Sequence, residues 1–448
     1  MAWYKKALIA CFFVILMSYV FVGYTRVPFH GDEADHLFKS RDFMTYFVEG
    51  RPDALRVRPP VAIDSEQHIR LLTGTTTAYL TGYALWSAGV EKWEWPAPWY
   101  YGLDYAWNIE NGRRPEEFKL HRARLVTTLL TMLSIPLIGG ITCQVVAFYK
   151  SKTYIAGLVA AGLAATHPVW LLNGRRVMQE AALGTFSLAV IWLALLILKK
   201  PTLIRWGALC LIAGLCLAAK PTGAISVGLI IGALLILQLG RRFFHAADDF
   251  QVSDPRQFIG LFGVVIGAVG VYILLTPAIW DAPFDRMRLA GELRLQVLQG
   301  QTKASADAYD TKWAQGMALI RQPFLSDLQY YESPAFEHVL DDEIARYEKA
   351  HFDGWQMSRL VGAFWTLAAM VGLATLIQHW RCPAAFLGLV WALGTAMALG
   401  ISVPLAWQRY YLLWSLICCI LAGIGLQAIF ERLMNRDFRM LRLSDSHG

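Results

Sequence analysis

Apolar residues fall in long unbroken runs along this chain, with little alternation against polar positions. About ten runs reach the roughly 20 residues a helix needs to cross a hydrocarbon core of roughly 30 Å. They lie near 7–23, 124–148, 154–172, 181–198, 203–219, 222–239, 257–278, 357–378, 383–402 and 409–428. An eleventh, "LLTGTTTAYLTGYALWSAGV" (Leu71–Val90), is apolar but rich in Thr and Gly, which are poor helix formers. Two long polar stretches interrupt the series, at about 24–123 and 281–356. The pattern predicts an all-α polytopic membrane protein with one transmembrane domain over 1–430 and a basic tail over 431–448.

The distribution of Lys and Arg orients it. If 71–90 does not cross, one side receives Lys5, Lys6, Lys150, Lys152, Lys199, Lys200, Arg205, Arg241, Arg242, Arg381 and the basic tail. The short loops opposite receive only Arg175, Arg176, Lys220 and Arg409. If it does cross, the bias reverses, against the positive-inside rule. The segment is therefore read as re-entrant or interfacial. Both termini are placed in the cytoplasm and both long polar stretches outside, at a bacterial plasma membrane. Lys5 and Lys6 precede the first run, but no small-x-small site ends it cleanly, so it reads as an uncleaved span.

Composition agrees with that class and narrows it. The 448 residues are 56% hydrophobic and only 17% charged, where soluble domains carry about 25% charged residues. The net charge of +7 is what cytoplasmic basic loops produce, so nucleic acid is not implied as a partner. None of the seven cysteines has CxxC spacing and no Cys/His cluster suggests zinc. No P-loop or GxGxxG is present.

Candidate chemistry collects beside the outer ends of the spans. "HGDEADH" (His30–His36) follows the first span directly. The bland reading makes Asp32 a helix cap with Glu33 complementing the dipole. A helix from about 33 to 48 would set Leu37, Phe43, Met44, Phe47 and Val48 on an apolar face, opposite Asp35, Lys39, Asp42 and Glu49. Glu180 starts a span, where an ionisable group is costly and usually functional; the bland reading points it at water, Arg175 or Arg176. Arg122, Arg124, Lys220 and Arg409, followed by Tyr410, sit at span ends. Each could simply snorkel towards headgroups, yet together they offer the cations that an anionic lipid phosphate needs. His68 and Arg70 lead into the 71–90 segment and could join them.

In their order these motifs resemble the polytopic glycosyltransferases of the GT-C fold, nearest the protein O-mannosyltransferases and the aminoarabinose transferases of lipid A (families 39 and 83). The features are Asp32-Glu33 after span one, Arg124-Leu125 opening the next, and "RRVMQEAALGTF" with Glu180 at the usual Asp position. They continue with the Lys220 turn "AAKPTGA", "TPAIWDAPFDR" before the second long loop, and "WQRYYLLWSL" with Arg409 and Tyr410. The usual "HPP" or "KPP" before the 71–90 segment is missing, and His68-Ile69-Arg70 takes its place. The resemblance implies a polyprenyl phosphate sugar donor and an inverting, single-step hexosyl or pentosyl transfer to a lipid, glycan or protein acceptor at the external face.

On that reading Asp32 is the general base, Glu33 orients acceptor or sugar, and Glu180 is a second acidic contact. Arg124, Lys220, Arg409 and Tyr410 bind the donor phosphate. His36, His68, Arg70 and Arg122 are further candidates. The resemblance names no certain cofactor, and such carboxylates could equally hold Mg2+ or Mn2+. The alternative is a lipid-linked glycan flippase that uses the same basic rim without cleaving anything. It needs charges along a path through the membrane, and these spans are nearly uncharged between their ends.

Overall fold

The computed structural model describes residues 3–63, 65–149, 154–240, 256–356 and 358–444, and is helical throughout. The predicted apolar runs with described residues are helical. Among the described residues seven helices are long and apolar enough to cross a membrane. These include Trp3–Val22, Glu117–Val145, Gln179–Lys199, Arg359–Gln378 and Pro383–Ser402. The run near 154–172 is instead a bent pair, Ile155–Ala165 and Pro168–Arg175, turned by 59°. His167 precedes Pro168, which has no N–H to continue the first helix and a φ suited to starting the second. Leu203–Ala219 and Gly223–Leu239 are apolar but only 17 residues each, about 25 Å at 1.5 Å per residue.

The central core is made by Glu117–Val145, Gln179–Lys199 and the last helix, Leu412–Ser444, packed around residues such as Ile138, Trp170, Ile191 and Leu416. Close approach substitutes for bulk between Arg359–Gln378 and the last helix. A Cβ on Gly372 would stand 1.9 Å from the Leu421 carbonyl oxygen, and one on Gly425 1.9 Å from that of Ala368. Small residues at such crossings bring helix backbones together where water cannot drive association. On the outside, Leu8, Ile15, Phe262, Ile266, Leu367 and Met370 are exposed, an apolar surface that suits lipid rather than water.

The Leu71–Val90 run resolves into the end of helix Glu66–Leu72 and a 13-residue helix, Thr75–Ser87. At about 20 Å the second is too short to span. It packs on Gly31–Ser40 and Glu117–Val145. The amphipathic helix expected over 33–48 stops at Ser40 and is followed by a π-turn over Met44–Val48. Its faces also differ from expectation: Phe47 and Val48 are exposed, while Lys39 and Asp42 are buried. The reason is a clasp on helix Glu66–Leu72. Lys39 Nζ donates to the carbonyls of Arg70 and Thr73 at its C-terminus. Asp42 takes the Arg70 guanidinium in a fork, at 2.8 and 2.9 Å. Burial pushes the Lys39 ammonium down to about 7.

A second core of Phe29, Leu37, Trp95, Trp99 and Phe336 lies under helix Gly31–Ser40. The 281–356 stretch contributes to it, and carries helices Pro283–Ala304, Lys312–Phe324 and Asp341–Lys349.

Candidate active site

The start of helix Gly31–Ser40 sets where two neighbouring acids point. His30, not Asp32, is its cap: Nδ1 accepts the Asp32 N–H at 3.1 Å, and the Glu33 carboxylate accepts the His30 N–H at 3.1 Å. That reciprocal capping box places Asp32 and Glu33 at successive helical positions, about 100° apart. They consequently face different surroundings.

Glu33 points inward and is fully buried. It accepts from Arg124 Nε at 2.8 Å, Arg124 Nη2 at 2.6 Å and the Val177 N–H at 2.9 Å. Arg124 spends its remaining Nη1 on the Val27 carbonyl at 2.7 Å and is itself 2% exposed. Burial alone would raise the Glu33 pKa, but Arg124 outweighs it and holds it below the usual range. With both partners saturated, this pair ties the first loop to the Glu117–Val145 helix.

Asp32 points to a more open cluster, with its side chain 26% exposed. Oδ2 pairs with Arg409 Nη1 and Oδ1 accepts from the Tyr101 hydroxyl. Burial would raise its pKa; Arg409, then His30 and Tyr101, overcome this and keep it ionised. Arg409 Nε lies 3.2 Å from Glu332 Oε1, close enough for an ion pair but not aligned as a hydrogen bond. The other Glu332 oxygen sits 2.7 Å from His30 Nε2. Since His30 Nδ1 accepts from Asp32, Nε2 carries the proton and donates to Glu332. His30, Asp32, Arg409 and Glu332 thus form a closed ring.

The second half of the cluster is the ion pair of Glu180 with Lys220, at 2.8 Å. Glu180 is in the first turn of its helix and Lys220 directly follows Leu203–Ala219. Arg175 and Arg176 are used elsewhere: Arg175 holds the carbonyls of Tyr19 and Val20, and Arg176 those of Pro28 and Tyr330. Gly74 keeps the two partners of this pair in register. Its N–H donates to Gln179 Oε1 at 3.1 Å, and a Cβ there would lie 1.8 Å from the Ala219 carbonyl oxygen. Any larger residue would wedge apart the neighbours of Glu180 and Lys220.

Tyr410 connects the two halves. Its ring lies 5.8 Å from Lys220 Nζ and 5.5 Å from the Arg409 guanidinium, within cation–π range. Its hydroxyl donates to Gln301 at 3.2 Å and faces Arg294 at 3.5 Å. His36, one turn beyond Asp32, is buried within the electrostatic reach of Asp32, Glu180, Lys39 and Lys220. Burial, against the pull of the two carboxylates, pushes its imidazole down to about 4, so it is neutral at ordinary pH.

Of the residues singled out in the sequence, Asp32, His36, Glu180, Lys220, Arg409 and Tyr410 come together. Glu33 and Arg124 form the separate buried pair. Arg70 belongs to the Asp42 clasp, and the backbone N–H of His68 is capped by Ser65. Arg122 is exposed, over the Phe118 ring. Glu332, Tyr101, Arg294 and Gln301 were not foreseen. They come from loops and from an exposed helix, where no apolar periodicity marks a position. The carboxylates do not fit a metal: Asp32, Glu180 and Glu332 are each paired with a cation, and among the described residues no three metal-ligating groups converge.

Neither a family model nor a curated protein matches the sequence. Solved structures do match the fold. The oligosaccharyltransferase of Archaeoglobus fulgidus, solved with zinc and sulfate, superposes with a TM-score of 0.54 at 14% identity, over 97% of this chain and 51% of that one. The same archaeal enzyme, AglB, with an inhibitory peptide and dolichol-phosphate, gives 0.52 at 14% identity, over 99% and 52%. ArnT of Cupriavidus metallidurans bound to undecaprenyl phosphate gives 0.50 at 13% identity, over 94% and 60%. The chain spans about half to three fifths of their lengths. It has a GT-C glycosyltransferase-like fold with several membrane-spanning helices.

Proposed function

We propose that this protein is a membrane glycosyltransferase that moves a sugar from a polyprenyl phosphate donor to an acceptor hydroxyl, with Asp32 as general base. One observation carries the reading: Asp32 meets Arg409, 377 residues away, beside the Glu180–Lys220 pair. A carboxylate and two cations within one half-open cluster are what such a transfer needs. The solved neighbours named for dolichol-phosphate and undecaprenyl phosphate support the class of donor. The charge bias of the loops supports an external face for the cluster.

The acceptor O–H gives its proton to Asp32 as its oxygen bonds the anomeric carbon. The bond from that carbon to the phosphate oxygen breaks, and its electron pair leaves with the lipid phosphate. A single displacement inverts the anomeric centre. The phosphodiester carries one negative charge and the departing phosphomonoester gains a second. Arg409 and Lys220 are placed to meet that developing charge, and Tyr410 to fix the two cations. Glu180 holds Lys220 in position, and Glu33 and Arg124 hold the helix that presents Asp32.

The test is transfer by the purified protein in nanodiscs from C55 polyprenyl phosphate sugars. Asp32→Asn should remove transfer while leaving the melting temperature within a few degrees of wild type. Full activity in that variant would sink the assignment.

A further inference from the structure

Asp32 is not available as a base in this structure, because Arg409 occupies Oδ2 and the Tyr101 hydroxyl occupies Oδ1. The same guanidinium is the cation a donor phosphate would seek. Arg409 therefore has two claimants. Three carboxylates, Asp32, Glu180 and Glu332, share the two cations Arg409 and Lys220 in ion pairs, with His36 neutral. An anion arriving at Arg409 or Lys220 gains a close contact by displacing a carboxylate.

The three carboxylates are not equally easy to displace. Glu332 is 8% exposed and anchored at 2.7 Å to His30. Glu180 is 7% exposed and bound to Lys220. Asp32 is 26% exposed and takes the Nη1 end of Arg409, whereas Glu332 lies against Nε. Phosphate binds guanidinium best through paired N–H groups, so the Nη end is the one it would take. Glu332 can then stay on the Nε side and hold Arg409 in place while the other end changes partner.

We propose that the donor phosphate takes Arg409 from Asp32 and thereby unmasks the base, so that donor binds before acceptor. This rests on the glycosyltransferase reading above. An ion-paired carboxylate is a weak proton acceptor, and release from Arg409 restores its basicity. Tyr101 meanwhile donates to Oδ1 in the way an acceptor hydroxyl would, and marks the side from which the acceptor enters. Water that reaches the cluster before the donor finds the carboxylate already spoken for.

The exchange can be tested without knowing the sugar or the acceptor. The probe is undecaprenyl phosphate, titrated into the full-length protein in zwitterionic nanodiscs and followed by tryptophan fluorescence. Asp32→Asn removes the competitor for Arg409, so the lipid phosphate should bind at least ~10-fold tighter than to wild type, the effect of a coupling near 1.4 kcal/mol. Arg409→Ala should weaken binding by at least ~10-fold, alone and combined with Asp32→Asn. Asp32→Ser, which also removes the charge, gives the same reading should the Asn variant not fold. If charge removal leaves affinity unchanged or weaker while Arg409→Ala still abolishes it, the exchange is overturned and the phosphate site survives. If Arg409→Ala has no effect, the donor-phosphate reading falls, and the exchange with it.

Discussion

Asp32 and Glu33 are neighbours in the chain and each pairs with an arginine far along it, yet the two pairs are built differently. The Glu33–Arg124 pair is closed: it is fully buried, and backbone groups of His30, Val27 and Val177 take up the remaining hydrogen-bonding capacity. The Asp32–Arg409 pair is open: its acid is partly exposed and its arginine is shared with Glu332. Burial by itself does not separate a structural ion pair from a functional one. Saturation distinguishes the two here, because a pair with no capacity left can only be kept or broken, whereas a shared and partly exposed pair can change partners.

The largest expected effect is on the open pair. Asp32→Asn should cut transfer by about 10²–10⁴-fold, the usual contribution of a positioned general base, measured as radiolabelled sugar passed from polyprenyl phosphate donors. A retained rate would erase the distinction between the two acids. Next comes the closed pair. Arg124→Leu leaves Glu33 buried without its partner, which costs about 3–5 kcal/mol and should appear as a sharp drop in melting temperature. A fall in activity with normal stability would instead move Arg124 into the functional set.

His36 tests the ground between the pairs. Its folded pKa of about 4 lies below the ordinary 6.5, so from pH 6.5 down to 4 the unfolded chain binds the proton that the folded protein refuses. Stability should fall as pH drops through that window, by at most about 3 kcal/mol, and His36→Gln should flatten the curve in thermal melts. The smallest effect is expected at Arg122, two residues from Arg124 but exposed. Arg122→Ala should shift stability by less than about 0.5 kcal/mol and leave transfer unchanged. A large loss there would mean that position along the helix, rather than partners, decides an arginine's role.

Much of the architecture was legible because hydrophobic length is a strong signal: the bilayer demands it of every crossing segment. The break at His167–Pro168 was carried by one residue inside an otherwise apolar run, and length alone overlooked it. At the site, Asp32, Glu180, Lys220 and Arg409 stood out because charge beside an apolar run is costly and therefore conspicuous. Glu332 and Tyr101 did not stand out, since acids and tyrosines are ordinary in polar loops and only tertiary contact distinguishes them. Lys39 and Asp42 read as a wet face for the same reason: their partners, the Thr73 carbonyl and Arg70, lie some 30 residues on. Arg124 looked like a rim cation, and nothing local revealed that Glu33 encloses it.

The 377 residues between Asp32 and Arg409 also have a meaning in time. A ribosome adding roughly 5–20 residues per second exposes the carboxylate about 20 to 75 seconds before its arginine exists. The Arg124 that clasps Glu33 lies only 91 residues on, so it is made well before Arg409. A chain interrupted between the two arginines would therefore hold the partner of Glu33 but not that of Asp32.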